Sequence, residues 1–131
     1  MIITTLDVPV RTATGTDPGA GTADWQCLVR RGMLHSECEG VEHWTLRPGA
    51  LLELTPGHGV EEALLVLDGE IVVSSTAGER PVRAGQTALV PHGTAGRIRA
   101  GDAPVRLLTI RALAAAVAHR LPPRVPELLA P

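Results

Sequence analysis

The segment from Arg47 to Val73, RPGALLELTPGHGVEEALLVLDGEIVV, decides the fold class. Two apolar runs of strand length, Leu51–Leu54 and Ala63–Leu67, are separated by the residues PGHG, and the second run ends at Asp68-Gly69. An Asp-Gly pair between β-forming residues favours a type I′ turn, which needs positive φ at both central positions. The segment is therefore predicted to form three strands, joined by a tight loop and a hairpin.

The rest of the chain repeats this pattern of short apolar segments between turns rich in Gly and Pro, which is typical of an all-β sandwich or barrel. An edge strand is predicted over Ile2–Leu6. The following residues, 11–24, are rich in Thr, Gly and Asp and are expected to form a loop or lid. Only Ala112–Arg120 has a helical pattern, and Pro122-Pro123 ends it.

Composition limits the function classes. The formal net charge is −2 and the sequence has no basic patch, so a nucleic-acid partner is not expected. No apolar run is long enough to span a membrane. The first ten residues lack the pattern of a signal peptide, so a cytoplasmic location is predicted. The two cysteines lack the paired spacing of a zinc site. The expected partner is a small organic molecule.

One motif in the central segment resembles the cupins. Their first motif is Gly, five residues, His-x-His, three or four residues, Glu, six residues and Gly. Here Gly49, Glu62 and Gly69 have this spacing, but Thr55 and Gly57 stand at the two histidine positions.

A second motif resembles the cupins further along the chain. The family pattern is Gly, five residues, Pro-x-Gly, two residues, His, three residues and Asn. Gly85, Pro91 and Gly93 fit, while Gly96 stands at the histidine position and Ala100 at the asparagine position.

The resemblance implies an all-β fold, the cupin double-stranded β-helix or jelly-roll barrel, with a short C-terminal helix. A chain of 131 residues is expected to form one domain. Its predicted parts are an N-terminal strand and loop over 1–24, a motif-bearing barrel over about 41–110, and a helix and tail over 112–131.

The departures from the motifs bear on metal binding. In cupins the motif histidines and the Glu hold iron, manganese, zinc or nickel, but Gly57 and Gly96 offer no donor atom, and Thr55 offers only a hydroxyl. The resemblance therefore implies a lost metal site and no cofactor. His58 and His92 lie beside motif positions. We expect them to be rim residues, exposed or hydrogen-bonded, with a rebuilt metal site as the alternative.

The interior of the barrel is expected to carry the chemistry. If Thr55 and Glu62 face inward, strand alternation places Glu53 there too. Two carboxylates in an apolar cavity repel each other, and desolvation disfavours the charged form, so the pKa of at least one should rise. Such a group is a general acid or base without a metal. Alternatively, Glu53 pairs with an arginine on a neighbouring strand: Arg97, Arg99 or Arg106.

These arguments give two groups of candidate residues. The predicted catalytic residues are Glu62, Glu53, His58 and His92. The predicted substrate-binding residues are expected to face the cavity: Thr55, Leu51, Leu64, Val66, His43, His35 and Trp44. A single histidine on a strand is more often structural, so that alternative stays open for His43 and His35, and a place in the core is the alternative for Trp44.

The first hypothesis is a metal-independent cupin enzyme that performs cyclisation, isomerisation or elimination on a small molecule. The resemblance extends to bacterial secondary metabolism, since small single-domain cupins often look like tailoring enzymes such as polyketide cyclases. The alternatives are a non-catalytic ligand-binding or sensor cupin and a metal-dependent oxygenase, which the missing ligands argue against. Cupins dimerise through strands, so a homodimer is expected, with the Ile2-Ile3 edge as the candidate contact.

Overall fold

The computed structural model describes residues 1–15, 21–34 and 36–123. These residues form strands, one 3-10 turn at Pro56–His58 and one short helix. In chain order the strands are β1 Val10–Ala13, β2 Thr22–Arg30, β3 Cys38–Leu46, β4 Leu51–Leu54, β5 Val60–Asp68, β6 Glu70–Ser75, β7 Gly78–Arg83, β8 Thr87–Val90, β9 Gly96–Ala100 and β10 Val105–Leu113, and the helix α1 is Ala115–Ala118.

The strands form two sheets whose pairs are all antiparallel. The larger sheet has the order β1-β2-β3-β10-β5-β8, and the smaller one has the order β4-β9-β6-β7. Strands adjacent in sequence are thus often separated in space, as in a jelly roll. The predicted all-β jelly-roll fold is confirmed.

The core lies between the inner faces of the two sheets. Alternation along the strands turns every second residue inward, which gives β5 and β10 their runs of fully buried side chains, such as Leu64, Val66 and Leu107. Since the sequence contains neither Phe nor Tyr, branched aliphatic residues supply this packing. Ile71 and Ile98 close the core from the smaller sheet.

The type I′ turn predicted at Asp68-Gly69 does not form, because Asp68 lacks the positive φ that such a turn needs, and neither does the hairpin. Gly69 has φ of 83°, the left-handed conformation that favours glycine. However, β5 pairs with β10 and β8, whereas β6 pairs with β7 and β9 in the other sheet. The bend at Gly69 therefore passes the chain from the larger sheet to the smaller one.

The N-terminal predictions need correction. Residues 2–6 form no strand. The end of this segment is bound by the side chain of Gln26, whose Oε1 accepts from Asp7 N–H at 3.0 Å and whose Nε2 donates to Thr5 O. The predicted loop over 11–24 contains β1 and the start of β2. Its residues 16–20 lie outside the described residues, so the lid stays a prediction.

The predicted helix over Ala112–Arg120 is shorter than expected. Ala112 and Leu113 belong to β10, where Leu113 pairs with Val60. Strand pairing thus outweighs the helical preference of this Ala-rich segment, and α1 covers only Ala115–Ala118. Within the described residues, no helix is long and apolar enough to cross a membrane.

Candidate functional site

Three charged side chains meet on the inner face of the larger sheet, at the end of the barrel where β5 begins. Arg111 of β10 is paired in register with Glu62 of β5 on one side and with Gly40 of β3 on the other. Glu42 lies two residues beyond Gly40, on the same face. We call these three residues the acid–arginine cluster.

The ion pairs of the cluster are loose. Arg111 Nε lies 3.3 Å from Glu62 Oε1, and its Nη1 lies 3.8 Å from Glu42 Oε1. Both distances exceed the 2.7–2.9 Å that is usual for charge-assisted hydrogen bonds. Arg111 Nε and the nearby Thr109 Oγ1 are buried and have no hydrogen-bond partner. The Glu62 side chain is only 9% exposed, so this cluster is largely shielded from water.

Two tryptophans hold Glu42 in place. Trp44 Nε1 donates a hydrogen bond to Glu42 Oε2 at 3.1 Å. The Trp44 ring stacks on Trp25, with the ring centroids 6.0 Å apart. Trp44 was predicted to bind substrate, and it lies on the inner face next to the cluster. One oxygen of Glu42 is therefore already occupied.

The loops around this end carry the two predicted histidines. His58 ends the 3-10 turn just before β5, and His92 follows β8, whose Val90 is in register with Glu62. Both histidines are exposed, as is Thr55. Among the described residues, no three His, Cys, Asp or Glu side chains are arranged to hold a metal ion.

The predicted inward position of Glu53 is wrong. Its side chain is 56% exposed, and its Oε1 lies 3.2 Å from Nε of Arg97, one of the arginines considered as an alternative. Strand β4 turns Leu52 and Leu54 inward, towards Ile98. The 3-10 turn then breaks the alternation that was extended from Glu62.

Leu51 is affected by the same error. It shares the outer face of β4 with Glu53 and is paired with Arg99. The predicted pair of carboxylates in one cavity does not form, so the repulsion expected between them does not arise. In contrast, Leu64 and Val66 face inward as predicted, where they are fully buried in the core.

His43 faces away from the cluster. It alternates with Glu42 and Trp44 and lies on the outer face of β3, in register with Leu108. Its Nε2 lies 3.4 Å from Nη2 of Arg106, and because a guanidinium can only donate, Nε2 is the acceptor. Burial, and secondly the charge of Arg106, lowers the pKa of His43. The structure therefore fits the structural alternative for His43 and not the cavity position, and His35 lies outside the described residues.

Sequence reasoning missed Glu42, Thr109 and Arg111. Arg111 was overlooked because the barrel was expected to end at about residue 110, before a helix starting at Ala112. The signal was present, since Thr109 and Arg111 continue the inward alternation of Val105 and Leu107. A polar residue at an inward position is the pattern that indicates a site.

Comparison with known proteins identifies the family. Residues 42–111 match the family described as Cupin domain. This chain is a cupin. The matched region includes all three residues of the acid–arginine cluster. No sequence among the curated proteins matches this chain.

Solved structures agree on the fold. A predicted oxalate decarboxylase from Thermotoga maritima is 21% identical, with a TM-score of 0.67 over 82% of this chain and 93% of that one. A Cupin 2 conserved barrel domain protein from Salinispora arenicola is 20% identical, with a TM-score of 0.60 over 75% and 81%. The Cupin_2 domain of an XRE family transcriptional regulator from Enterobacter cloacae is 21% identical, with a TM-score of 0.62 over 70% and 97%.

The residues at the cupin motif positions do not fit a metal ion. At Gly96 an added Cβ would overlap the backbone carbonyl oxygen of Ser74, so no ligating side chain can replace this glycine without moving the strands. Thr55 and Gly57 are exposed, and the carboxylate of Glu62 faces the Arg111 guanidinium. One carboxylate with these neighbours does not form the polyhedron that transition metals require.

Proposed function

We propose that this cupin is a metal-independent enzyme that uses Glu62 for proton transfer on a small organic molecule. The observation that carries this proposal is the buried contact between the Glu62 carboxylate and the Arg111 guanidinium at an end of the barrel. A carboxylate can accept and return a proton. The adjacent guanidinium can stabilise negative charge that develops on the substrate.

The reaction classes that fit are cyclisation, isomerisation and elimination. Each needs one group to remove a proton from carbon and a fixed positive charge near the resulting anion. Glu62 and Arg111 supply this combination without a cofactor. A role in bacterial secondary metabolism, in the cytoplasm, belongs to this proposal and rests on the resemblance to small single-domain cupins.

The test compares Glu62→Gln with a matched control at the neighbouring residue. Glu61→Gln removes the same charge from an exposed side chain. Wild type and both variants are incubated in D2O with a library of small carbonyl compounds, and deuterium incorporation is measured by mass spectrometry. We expect Glu62→Gln to slow the exchange by about 100-fold, the lower end for loss of a general base. Equal exchange rates in wild type and Glu62→Gln would contradict the proposal.

A second candidate function is ligand sensing without catalysis. It is favoured by the likeness to the cupin domain of a transcriptional regulator, of which the alignment covers 97%. In that case a compound that binds at the cluster would raise the melting temperature of the protein, and no exchange above background would occur with wild type. A metal-dependent oxygenase is the least favoured candidate, because the histidine ligands of the cupin motifs are absent from the motif positions.

We also propose a homodimer, formed through the outer face of the larger sheet. Ile110 and Leu89 are 41% and 77% exposed there, and Ala63 lies between them in register. Ile2 and Ile3, the contact expected from sequence, are 47% and 83% exposed. The exposed apolar row that contains Ile110 and Leu89 is typical of an interaction surface.

The dimer is tested by size-exclusion chromatography with light scattering. We expect wild type to have twice the mass of the chain and Leu89→Asp to elute as a monomer, because a charge in an apolar interface is costly. Leu121→Asp, at an exposed leucine near the helix, should leave the dimer intact. A monomeric wild type would rule out the dimer.

A further inference from the structure

Two buried polar atoms that make no hydrogen bond belong to side chains on the same inward face of β10. Thr109 is 1% exposed, and its Oγ1 has no hydrogen-bond partner. Arg111, two residues further on the same inward face, has a buried Nε that also makes no hydrogen bond, although Glu62 Oε1 lies 3.3 Å from it in the ion pair. Buried polar groups are nearly always hydrogen-bonded, and leaving them unbonded costs free energy. Two such atoms on one inward face therefore indicate a site for a polar group of a ligand.

The chemistry of the two atoms defines that group. Arg111 Nε is a donor only, and the hydroxyl of Thr109 can donate as well, so both atoms suit an acceptor oxygen. The carboxylates of Glu42 and Glu62 outnumber the guanidinium, which leaves the cluster with one net formal negative charge. A ligand carboxylate would be repelled by this charge, and a neutral carbonyl oxygen would not.

We propose that Thr109 and Arg111 bind the carbonyl oxygen of a neutral ketone or related carbonyl compound, with its α-carbon towards Glu62. This inference rests on the proposed function of Glu62. Glu62 Oε1 lies 3.3 Å from Arg111 Nε, so an oxygen bound to Nε brings the neighbouring carbons of the ligand close to the carboxylate. Thr109 is a binding residue in this arrangement, and Glu62 is the catalytic residue.

The proton-transfer step balances without any further reactant. Glu62 takes the α-proton, so the C–H bond breaks and an O–H bond forms on the carboxyl group. The electron pair of that bond becomes the C=C bond of an enolate, and the carbonyl π electrons move to oxygen. The Nε–H of Arg111 and the hydroxyl of Thr109 stabilise the oxyanion. Return of the proton to carbon completes an exchange or an isomerisation.

The test uses three probes of similar size and different charge: acetophenone, benzoate and benzylamine. Binding is measured by ligand-observed NMR titration of wild type, Thr109→Val and Thr109→Ser. Valine has the shape of threonine without the hydroxyl, and serine keeps the hydroxyl. We expect acetophenone to bind wild type more tightly than benzoate or benzylamine does. Thr109→Val should weaken acetophenone binding about fivefold, the usual net effect of one hydrogen bond, and Thr109→Ser should stay within about twofold of wild type.

Urea unfolding of the free variants shows whether weaker binding results from a less stable protein. Thr109→Val removes an unbonded hydroxyl, so the free variant should unfold at the same urea concentration as wild type or a higher one. Tighter binding of benzoate or benzylamine, no binding of acetophenone, or equal acetophenone binding by Thr109→Val would each overturn the carbonyl site.

Exchange of the acetophenone methyl protons in D2O separates this proposal from the proposed function. If acetophenone binds through Thr109 but wild type does not speed the exchange, the carbonyl site stands and the catalytic role of Glu62 fails. If the exchange depends on Glu62 but is the same in Thr109→Val, the catalytic role stands and the carbonyl site is overturned.

Discussion

Gly96→Ala is expected to destabilise the fold by about 3 kcal/mol or more, at or beyond the upper range for overpacking a core. Gly96 begins β9, paired with β6, and an added Cβ would overlap the backbone carbonyl oxygen of Ser74. Backbone atoms in a ladder cannot yield as a flexible side chain does, so the strands must separate. Urea unfolding followed by circular dichroism measures the loss, seen as a lower midpoint or as a variant that does not fold.

The matched control is Gly57→Ala, at another glycine that occupies a histidine position of the cupin motifs. An added Cβ at Gly57 has no atom within 4 Å, and the residue is exposed without positive φ. We expect the free energy of unfolding to change by no more than about 0.5 kcal/mol, as for most surface substitutions. Equal losses at both sites would show that β6 and β9 are not held as closely as described. The pair also tests whether Gly96→His could restore a motif ligand, which this contact argues against.

The fold was predictable because Gly and Pro residues mark its turns in the sequence. Strand β4 has the predicted bounds, and Gly49, Gly69 and Gly85 lie at turns with positive φ. Turn chemistry is local, so a sequence alone reveals it. The partner of each strand depends on distant residues, and for this reason the Asp68-Gly69 turn was mistaken for a hairpin.

The candidate site was predicted only in part, for the same physical reason. Glu62 was found from its motif position, and it lies inside the barrel. The position of Glu53 was inferred by extending alternation across Pro56-Gly57, where a 3-10 turn resets the phase. Arg111 comes into contact with Glu62 only through the pairing of β10 with β5, over a separation in sequence that no local pattern spans.

Arg111→Met is expected to destabilise the protein by about 2–4 kcal/mol, somewhat less than loss of one partner from a fully buried ion pair, because the arginine side chain is 32% exposed. Removal of the guanidinium leaves the Glu42 and Glu62 carboxylates near each other without a counter-charge. Methionine preserves most of the apolar side-chain volume, so the loss reports mainly on charge. The free energy of unfolding is measured by urea titration.

The control for charge removal is Arg97→Met. Arg97 pairs with Glu53 on the surface, with side chains 62% and 56% exposed, and such pairs contribute at most about 1 kcal/mol. If Arg97→Met costs as much as Arg111→Met, the acid–arginine cluster has no special electrostatic role.

A double-mutant cycle then isolates the contact between Arg111 and Glu62. In the Arg111→Met background, Glu62→Gln removes one of two uncompensated carboxylates, so it should restore stability instead of lowering it. In wild type the same substitution removes the partner of the guanidinium and should be destabilising. An interaction energy of about 1–3 kcal/mol is expected for groups in direct contact. Strict additivity would mean that the two charges do not interact. It would also remove the argument that Glu62 is a proton acceptor beside a fixed positive charge.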